Sequence, residues 1–446
     1  MDLTTRTHRR LLAVVAVIMA VTVVGLVLLW PSASALPDRA EPPEPLVSGR
    51  ILAVEISGVS DDPMFGGGQL ATVDVEVLEG PDEGRVVQLT VDLSGYPDFG
   101  PGDGVELARS RAPDGTVDYF ITDFPRLPTL AVLIGMFVAA VLMIGRWHGL
   151  RSLIGLTLSL VLVVRFIVPA ILAGSHPPLV ALVGALAVMV VTLYLAHGVN
   201  EMTTAAIVGT AGALTLTVVL GLVFIDAASI TGFASEDAVF ARQQVFDLDL
   251  QGLVLAGLII ASLGVLDDVT VSQASTVFAL HDTDRTLPFT ALFARAMKVG
   301  RDHIASVVNT LFLAYAGASL PLLVVFSTGG LGTGEIVNSE VLAVEIVKTV
   351  VGSLGLIVAV PLTTALAAAV AVRRAEDAPV VPVHVHAHGP DDVPSHHPEE
   401  ADLEEADLDD DARAARAWSR YLREHGVDPD RTDDDDLDRG PEGPRG

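Results

Sequence analysis

The chain has 446 residues, of which 51% are hydrophobic, 18% charged and 5% aromatic, and its formal net charge is −28. That much apolar material oversupplies a single soluble core unless it is gathered into blocks long enough to face lipid. An acidic balance disfavours nucleic acid and anionic lipid as partners, because phosphates are held by lysine and arginine. Cysteine is absent, which excludes disulfides, a thiolate nucleophile, haem attachment and cysteine-based zinc or iron–sulfur sites.

The first apolar block is residues 11–30, behind Arg6, His8, Arg9 and Arg10. It reads as an N-terminal transmembrane anchor, with the basic flank cytoplasmic and residue 31 onward exported. Ala33-Ser34-Ala35 also fits a signal-peptidase site, so a cleaved signal is the rival reading. The run exceeds the usual apolar length of about 7–15 residues in a signal, which favours the anchor.

Residues 36–126 follow as an extracytoplasmic β-rich domain. Val73-Val75-Val77, Val87-Leu89-Val91-Leu93 and Val117-Tyr119-Ile121 alternate with period two, and glycine, proline and aspartate clusters separate them. About five short strands predict a small closed or partly closed barrel of the OB or SH3-like kind, since closure removes exposed strand edges.

Seven further apolar blocks, near 128–145, 152–173, 178–196, 204–225, 251–270, 303–327 and 347–371, predict a polytopic α-helical bundle over residues 127–372, with about eight transmembrane helices in all. Arg146, His148 and Arg151, then Arg285, Arg295, Lys298 and Arg301, then Arg373 and Arg374 all fall on the side of the N-terminus. Both termini are therefore expected in the cytoplasm. The segment 286–300 places Phe289, Leu292, Phe293 and Ala296 at helical spacing and reads as an interfacial helix, burial against the bundle being the alternative. Residues 373–446 form an acidic, histidine-containing tail, expected to be mostly disordered apart from one helix over 399–425. Its histidines lack the fixed geometry of a specific metal site, so neither a metal nor a cofactor is expected.

Polar residues within apolar spans mark where chemistry could sit, because in hydrocarbon each needs a partner or a wet cavity. Asp267 and Asp268 end the sixth span and are followed by Ser272; they could serve a cation or a proton relay, or lie in headgroup water. Successive helical residues point about 100° apart, so at most one of the pair is expected to face a given pathway. Asp302 is read at the start of the seventh span, where the helix dipole favours a negative charge. Ser306, Asn309 and Thr310 share one helix face and are read as facing the bundle interior, either lining a pathway or gluing helices. Arg165 lies deep in the third span, and Glu345 and Lys348 are spaced to pair. Asp282-Thr283-Asp284-Arg285-Thr286 mimics the DxDxT motif of haloacid-dehalogenase phosphatases, but a short loop cannot hold the parallel sheet that chemistry needs. Gly264-Val265-Leu266-Asp267 only loosely resembles the GxGD motif of intramembrane aspartyl proteases. No catalytic constellation emerges, and an enzyme is not expected.

Residues 264–275, GVLDDVTVSQAS, and 300–322, GRDHIASVVNTLFLAYAGASLPL, resemble the signature stretches of the YibE/F-like family of bacterial membrane proteins. The order of parts over residues 1–372 is similar as well. The resemblance implies a bacterial plasma membrane location, and transport is the activity it suggests. The resulting expectation is a secondary transporter or permease in the lipid bilayer, handling a small solute or ion. Its alternative is a non-transporting scaffold or sensor whose β domain holds an extracytoplasmic protein partner.

Overall fold

The computed structural model describes residues 3–32, 45–59, 68–111, 116–245, 247–330 and 332–377. The tail's histidines and the helix expected over 399–425 lie outside the described residues.

Helix α1 (Leu3–Leu29) precedes five antiparallel strands, β1 (Val47–Val59), β2 (Gln69–Val77), β3 (Val86–Asp92), β4 (Gly104–Arg111) and β5 (Val117–Asp123). They form one sheet in the order β3-β2-β1-β4-β5. Period-two alternation drives it: Val73, Val75 and Val77 are fully buried, while Thr72, Asp74 and Glu76 between them are not. The twisted sheet curls until its two edge strands approach each other across a cleft of about 880 Å³ lined by Val86–Asp92 and Val117–Ile121. The expected small barrel is thus a near-closed antiparallel sheet.

One polar cluster ties the sheet together. Tyr119 on β5 donates to Asp82 Oδ2 at 2.6 Å, and Arg109 Nε on β4 lies 3.4 Å from the same oxygen. The Tyr119 hydrogen bond and the Arg109 charge hold the Asp82 carboxyl below its ordinary value, against partial desolvation. Burial, and then the bond to Asp82, push the Tyr119 hydroxyl up. Because the folded state binds the Asp82 proton more weakly than the unfolded chain, this contribution is fully present above about pH 4 and is lost as pH falls through the lower folded value. Asp82→Asn is therefore expected to destabilise β4 and β5 near neutral pH but to converge on the native protein in acid. Amide hydrogen exchange of Arg109 and Tyr119 across that range checks it.

The remaining chain is helical: α2 (Leu127–Leu162), a π turn (Val163–Ile167), α3 (Val168–Leu172), α4 (Pro177–His197), α5 (Glu201–Ala227), α6 (Glu236–Gln244), α7 (Leu250–Thr283), α8 (Phe289–Ala318), α9 (Leu320–Thr328), α10 (Thr333–Val337) and α11 (Glu340–Asp377). Among the described residues, six stretches are long and apolar enough to cross a membrane, and the pair α8 and α9, bent by 60°, makes a seventh. One of the six, Leu127–Leu172, is broken at Arg146, whose φ of 48° and ψ of −125° lie outside helical space. Residues eight apart on a straight helix are about 12 Å apart along its axis, yet a Cβ on Gly149 would lie 2.4 Å from the Val141 carbonyl oxygen. The chain turns sharply there, giving two apolar arms where two spans are expected.

α5, α7 and α11 form the centre of the bundle. Their contact is lined by glycine and threonine. A Cβ on Gly209 of α5 would stand 2.1 Å from Thr363 Oγ1 of α11, and a Cβ on Gly355 of α11 would stand 2.1 Å from Thr217 Oγ1 of α5. The two helices therefore interlock reciprocally, each threonine seated on the other's glycine, which brings the backbones close. Thr210 and Thr270 meet as buried hydroxyls at 2.6 Å between α5 and α7. Gln273 of α7 donates through Nε2 to the Ala296 carbonyl of α8 at 3.1 Å and to Thr364 Oγ1 of α11 at 2.7 Å.

Two expectations are corrected here. The segment 286–300 is not a separate interfacial helix: α8 runs unbroken from Phe289 to Ala318, and Leu292, Ala296 and Gly300 are buried. Gly300 sits against Val360 and Gln273, so α8 stays in contact with the bundle through the stretch where a break is expected. Asp302 is therefore in the middle of α8 and not at a helix start. Glu345 and Lys348 pair at 2.9 Å, as their spacing requires, and Arg165 is exposed within the π turn. In the stretch that mimics DxDxT, Asp284 accepts from Thr286 N at 3.0 Å and Thr286 Oγ1 at 2.6 Å, closing a tight turn after α7.

Candidate functional site

Asp267, Asp268 and Ser272 lie along α7 and line a cavity of about 500 Å³. Ser152 from the second arm of α2, Thr192 and His197 from α4 and Met202 from α5 complete its wall, with Ser275 at its edge. Helical geometry separates the two carboxylates: Asp267 turns toward α4 and is half-buried, while Asp268 is exposed. Asp267 Oδ2 lies 3.4 Å from Thr192 Oγ1. Asp267 Oδ1 is buried with no hydrogen-bond partner among the described residues. Beneath it, Thr270 donates to the Asp267 carbonyl at 3.2 Å and touches Thr210, so the α5–α7 hydroxyl pair fixes the backbone that carries the acid.

Ser272 Oγ is 3.5 Å from His303 Nδ1, and this is the point where α8 reaches the site. The rest of the expected α8 stripe does not. Asp302, Ser306, Asn309 and Thr310 are exposed on the outer face of α8 and line no part of the cavity, because the inner face is taken by Leu292, Ala296 and Gly300 against α7 and α11. The reading of that stripe as facing the interior is therefore corrected. Among the described residues, no group of three His, Cys, Asp or Glu side chains could hold a metal ion.

Ser152, Thr192 and His197 are site residues that the sequence reading passes over. Thr192 interrupts the run Val188-Met189-Val190-Val191 and Leu193 within α4, which is the same signal that singles out Asp267. At the opposite end of the same helices, His176, Asp226, Asp249 and Gln251 line a second recess of about 610 Å³. Between the two recesses lie packed Met189, Leu258, Ile259, Leu263 and Leu266.

Residues 133–373 match the model of the YibE/F-like protein family, more than half of the chain and all of the cavity lining. The chain belongs to the YibE/F-like family. Both stretches that carry the resemblance, 264–275 and 300–322, fall inside the matched region, and Asp267, Asp268, Thr192 and His303 are all part of the YibE/F-like portion. The sheet domain precedes it. Neither a curated protein nor a solved structure matches the chain.

Proposed function

We propose that this YibE/F-like protein is a multi-pass protein of the bacterial plasma membrane, with both termini cytoplasmic, that acts as a secondary transporter or permease for a small solute or ion. The observation that carries the reading is the Asp267 cavity: a half-buried aspartate, one of whose carboxyl oxygens is buried with no hydrogen-bond partner among the described residues, lines a partly polar recess in an otherwise apolar bundle. The second recess, at the far end of α4, α5 and α7, supports it, since two openings separated by packed side chains suit a path closed in its middle.

Membrane residence rests on the outward side chains. Leu133, Ile134, Phe137, Met143 and Ile144 on the first arm of α2, and Phe312, Leu313, Val324 and Val325 on α8 and α9, are all exposed, an apolar surface far larger than a soluble monomer tolerates. The basic residues gathered on one side of the spans support the orientation. No G-x-x-x-x-G-K loop is present in the sequence, so transport would be secondary or passive, or driven by a separate subunit.

Flux measured in reconstituted vesicles tests the proposal. Asp267→Asn is expected to reduce uptake of the transported solute at least about tenfold, the size of losing one charge-assisted interaction. Uptake indifferent to Asp267→Asn, across a panel of ions and small solutes, would remove the cavity from the path.

The scaffold reading is favoured by one observation, the cleft between the unpaired edges of β3 and β5, which offers backbone donors and acceptors to an extended partner segment. Crosslinking from the sheet domain in intact cells separates it from the first, because a scaffold requires a stable partner there.

A further inference from the structure

We infer that the outer face of α8 is a contact surface for a second copy of this chain, the two α8 helices lying side by side in parallel and joined through Asn309; the inference rests on the membrane residence proposed above and not on transport. From His303 to Gly334 the sequence has no Asp, Glu, Lys or Arg, so Arg301 and Asp302 mark where α8 enters the hydrocarbon. Asn309 is seven residues beyond Asp302, about 10 Å along the helix axis, too deep for so short a side chain to reach the headgroups.

α8 turns Ile304, Val307 and Val308 toward the bundle core and leaves Ser306, Asn309 and Thr310 on its exposed side. Thr310 Oγ1 donates to the Ser306 carbonyl at 3.0 Å, whereas Asn309 has no hydrogen-bond partner among the described residues. Its amide carries two donor hydrogens and an acceptor oxygen, and in hydrocarbon no water meets them. A neighbouring helix has to cover this face.

The face is shaped for one. Ser306, Thr310, Ala314 and Ala318 recur every four residues on the exposed side, a row of small side chains about 18 Å long. Beside it a Cβ on Gly317 would meet nothing within 4 Å. Such a row lets two helix backbones come close enough for short polar side chains to meet.

The chemistry of the face identifies the occupant. Amide and hydroxyl groups both donate and accept, so the surface is complementary to itself, and Asn309 of each copy can give a hydrogen to the amide oxygen of the other. The charges at its rim agree. Arg301 and Asp302 are exposed, and neither is in an ion pair among the described residues. A two-fold axis along the membrane normal runs the helices parallel and sets the Arg301 and Asp302 of one copy against their opposites in the other.

The chain has no cysteine, so single cysteines report this contact without background. Oxidation of the full-length Ala314→Cys variant in native membranes is expected to give a disulfide-linked dimer, because a close parallel pair brings equivalent positions within the about 4.4–6.8 Å between Cα atoms that a disulfide spans. Ile134→Cys, on the exposed first arm of α2, is the control and should stay monomeric. Energy transfer between fluorescently tagged copies, followed as the protein is diluted in lipid vesicles, gives the strength of association. Asn309→Leu is expected to weaken it at least about tenfold, the size of one hydrogen bond between membrane helices, and Asn309→Gln, which keeps the amide, to retain most of it. Asn309 is exposed within one copy, so both variants should keep the detergent stability of the native fold. A monomer at every lipid dilution, association indifferent to Asn309→Leu, a dimer captured by Ile134→Cys but not by Ala314→Cys, or an Ala314→Cys adduct to a different protein overturns the inference, and each leaves membrane residence intact. Recovery of the full-length chain in the soluble fraction without detergent overturns both.

Discussion

Gly209→Ala is expected to cost this protein roughly 2–3 kcal/mol of stability, the upper part of the usual range for overpacking. The added methyl would lie 2.1 Å from Thr363 Oγ1, 3.0 Å from its Cβ and 3.3 Å from its Cα. A flexible side chain could swing aside, but a threonine in a helix has few χ1 choices, and each puts either its hydroxyl or its methyl near the same place. The helices must part, and α5–α11 is among the most extensive contacts of the bundle. Thr363→Ala removes the nearest atom at little cost of its own, because Thr363 Oγ1 has no hydrogen-bond partner among the described residues. The double variant Gly209→Ala with Thr363→Ala should therefore be more stable than Gly209→Ala alone, a coupling that additivity cannot produce. Gly257→Ala is the control: nothing lies within 4 Å of its Cβ position, and alanine is the better helix former. Unfolding of the purified variants in increasing denaturing detergent measures all four. Additive behaviour would mean that the helices do not meet at this pair.

Gln273→Glu is the second large effect, at about 3 kcal/mol or more near neutral pH. Gln273 is buried, and its amide nitrogen gives its two hydrogens to acceptors on two different helices. Thr364 Oγ1 cannot reverse its role easily, because its own proton is held by the Val360 carbonyl at 2.6 Å. A carboxylate at 273 would face two oxygens with no hydrogen to share. Gln273→Met keeps the volume and leaves no charge, and should cost only about 1–2 kcal/mol, because the Ala296 carbonyl sits within α8. The order native, then Met, then Glu in the same denaturation assay is the check. A glutamate variant as stable as the methionine one would show that the amide hydrogens are not what joins α7 to α8 and α11.

The strands and most of the spans were legible because both follow from period and length. Val73, Val75 and Val77 alternate strictly, and each apolar block is bounded by charge or by glycine and proline. The resemblance carried by residues 264–275 and 300–322 is matched by the family model over 133–373. The α8 stripe failed for a definite reason. Ser306, Asn309 and Thr310 are polar within an apolar stretch, but burial on α8 is decided by Gly300, whose lack of a side chain lets that face close on Gln273 and Val360. A rule about polar residues cannot see a contact made by an absent side chain. Charged Arg301 and Asp302 then suggested a helix start where α8 runs straight through.

The hydroxyl-rich centre was missed for a different reason. Thr210 and Thr217 each sit within hydrogen-bond reach of a carbonyl four residues back, so they are easily accommodated in an apolar helix although they are fully buried. Their sevenfold spacing with Thr203 was the available signal. In the cavity, Asp267 and Asp268 both belong to the wall, and the helical turn sets them apart as half-buried and exposed.

The reciprocal seating of Thr363 on Gly209 and Thr217 on Gly355 also limits how the bundle can move. The two seats mesh like paired teeth: sliding one helix past the other by a single turn would drive at least one of the two hydroxyls onto a residue that carries a side chain. α5 and α11 must consequently travel as one rigid bar. Any rearrangement that exposes Asp267 to the other recess has to be taken up by α4 pivoting against α7, or by the hinge where α8 bends into α9.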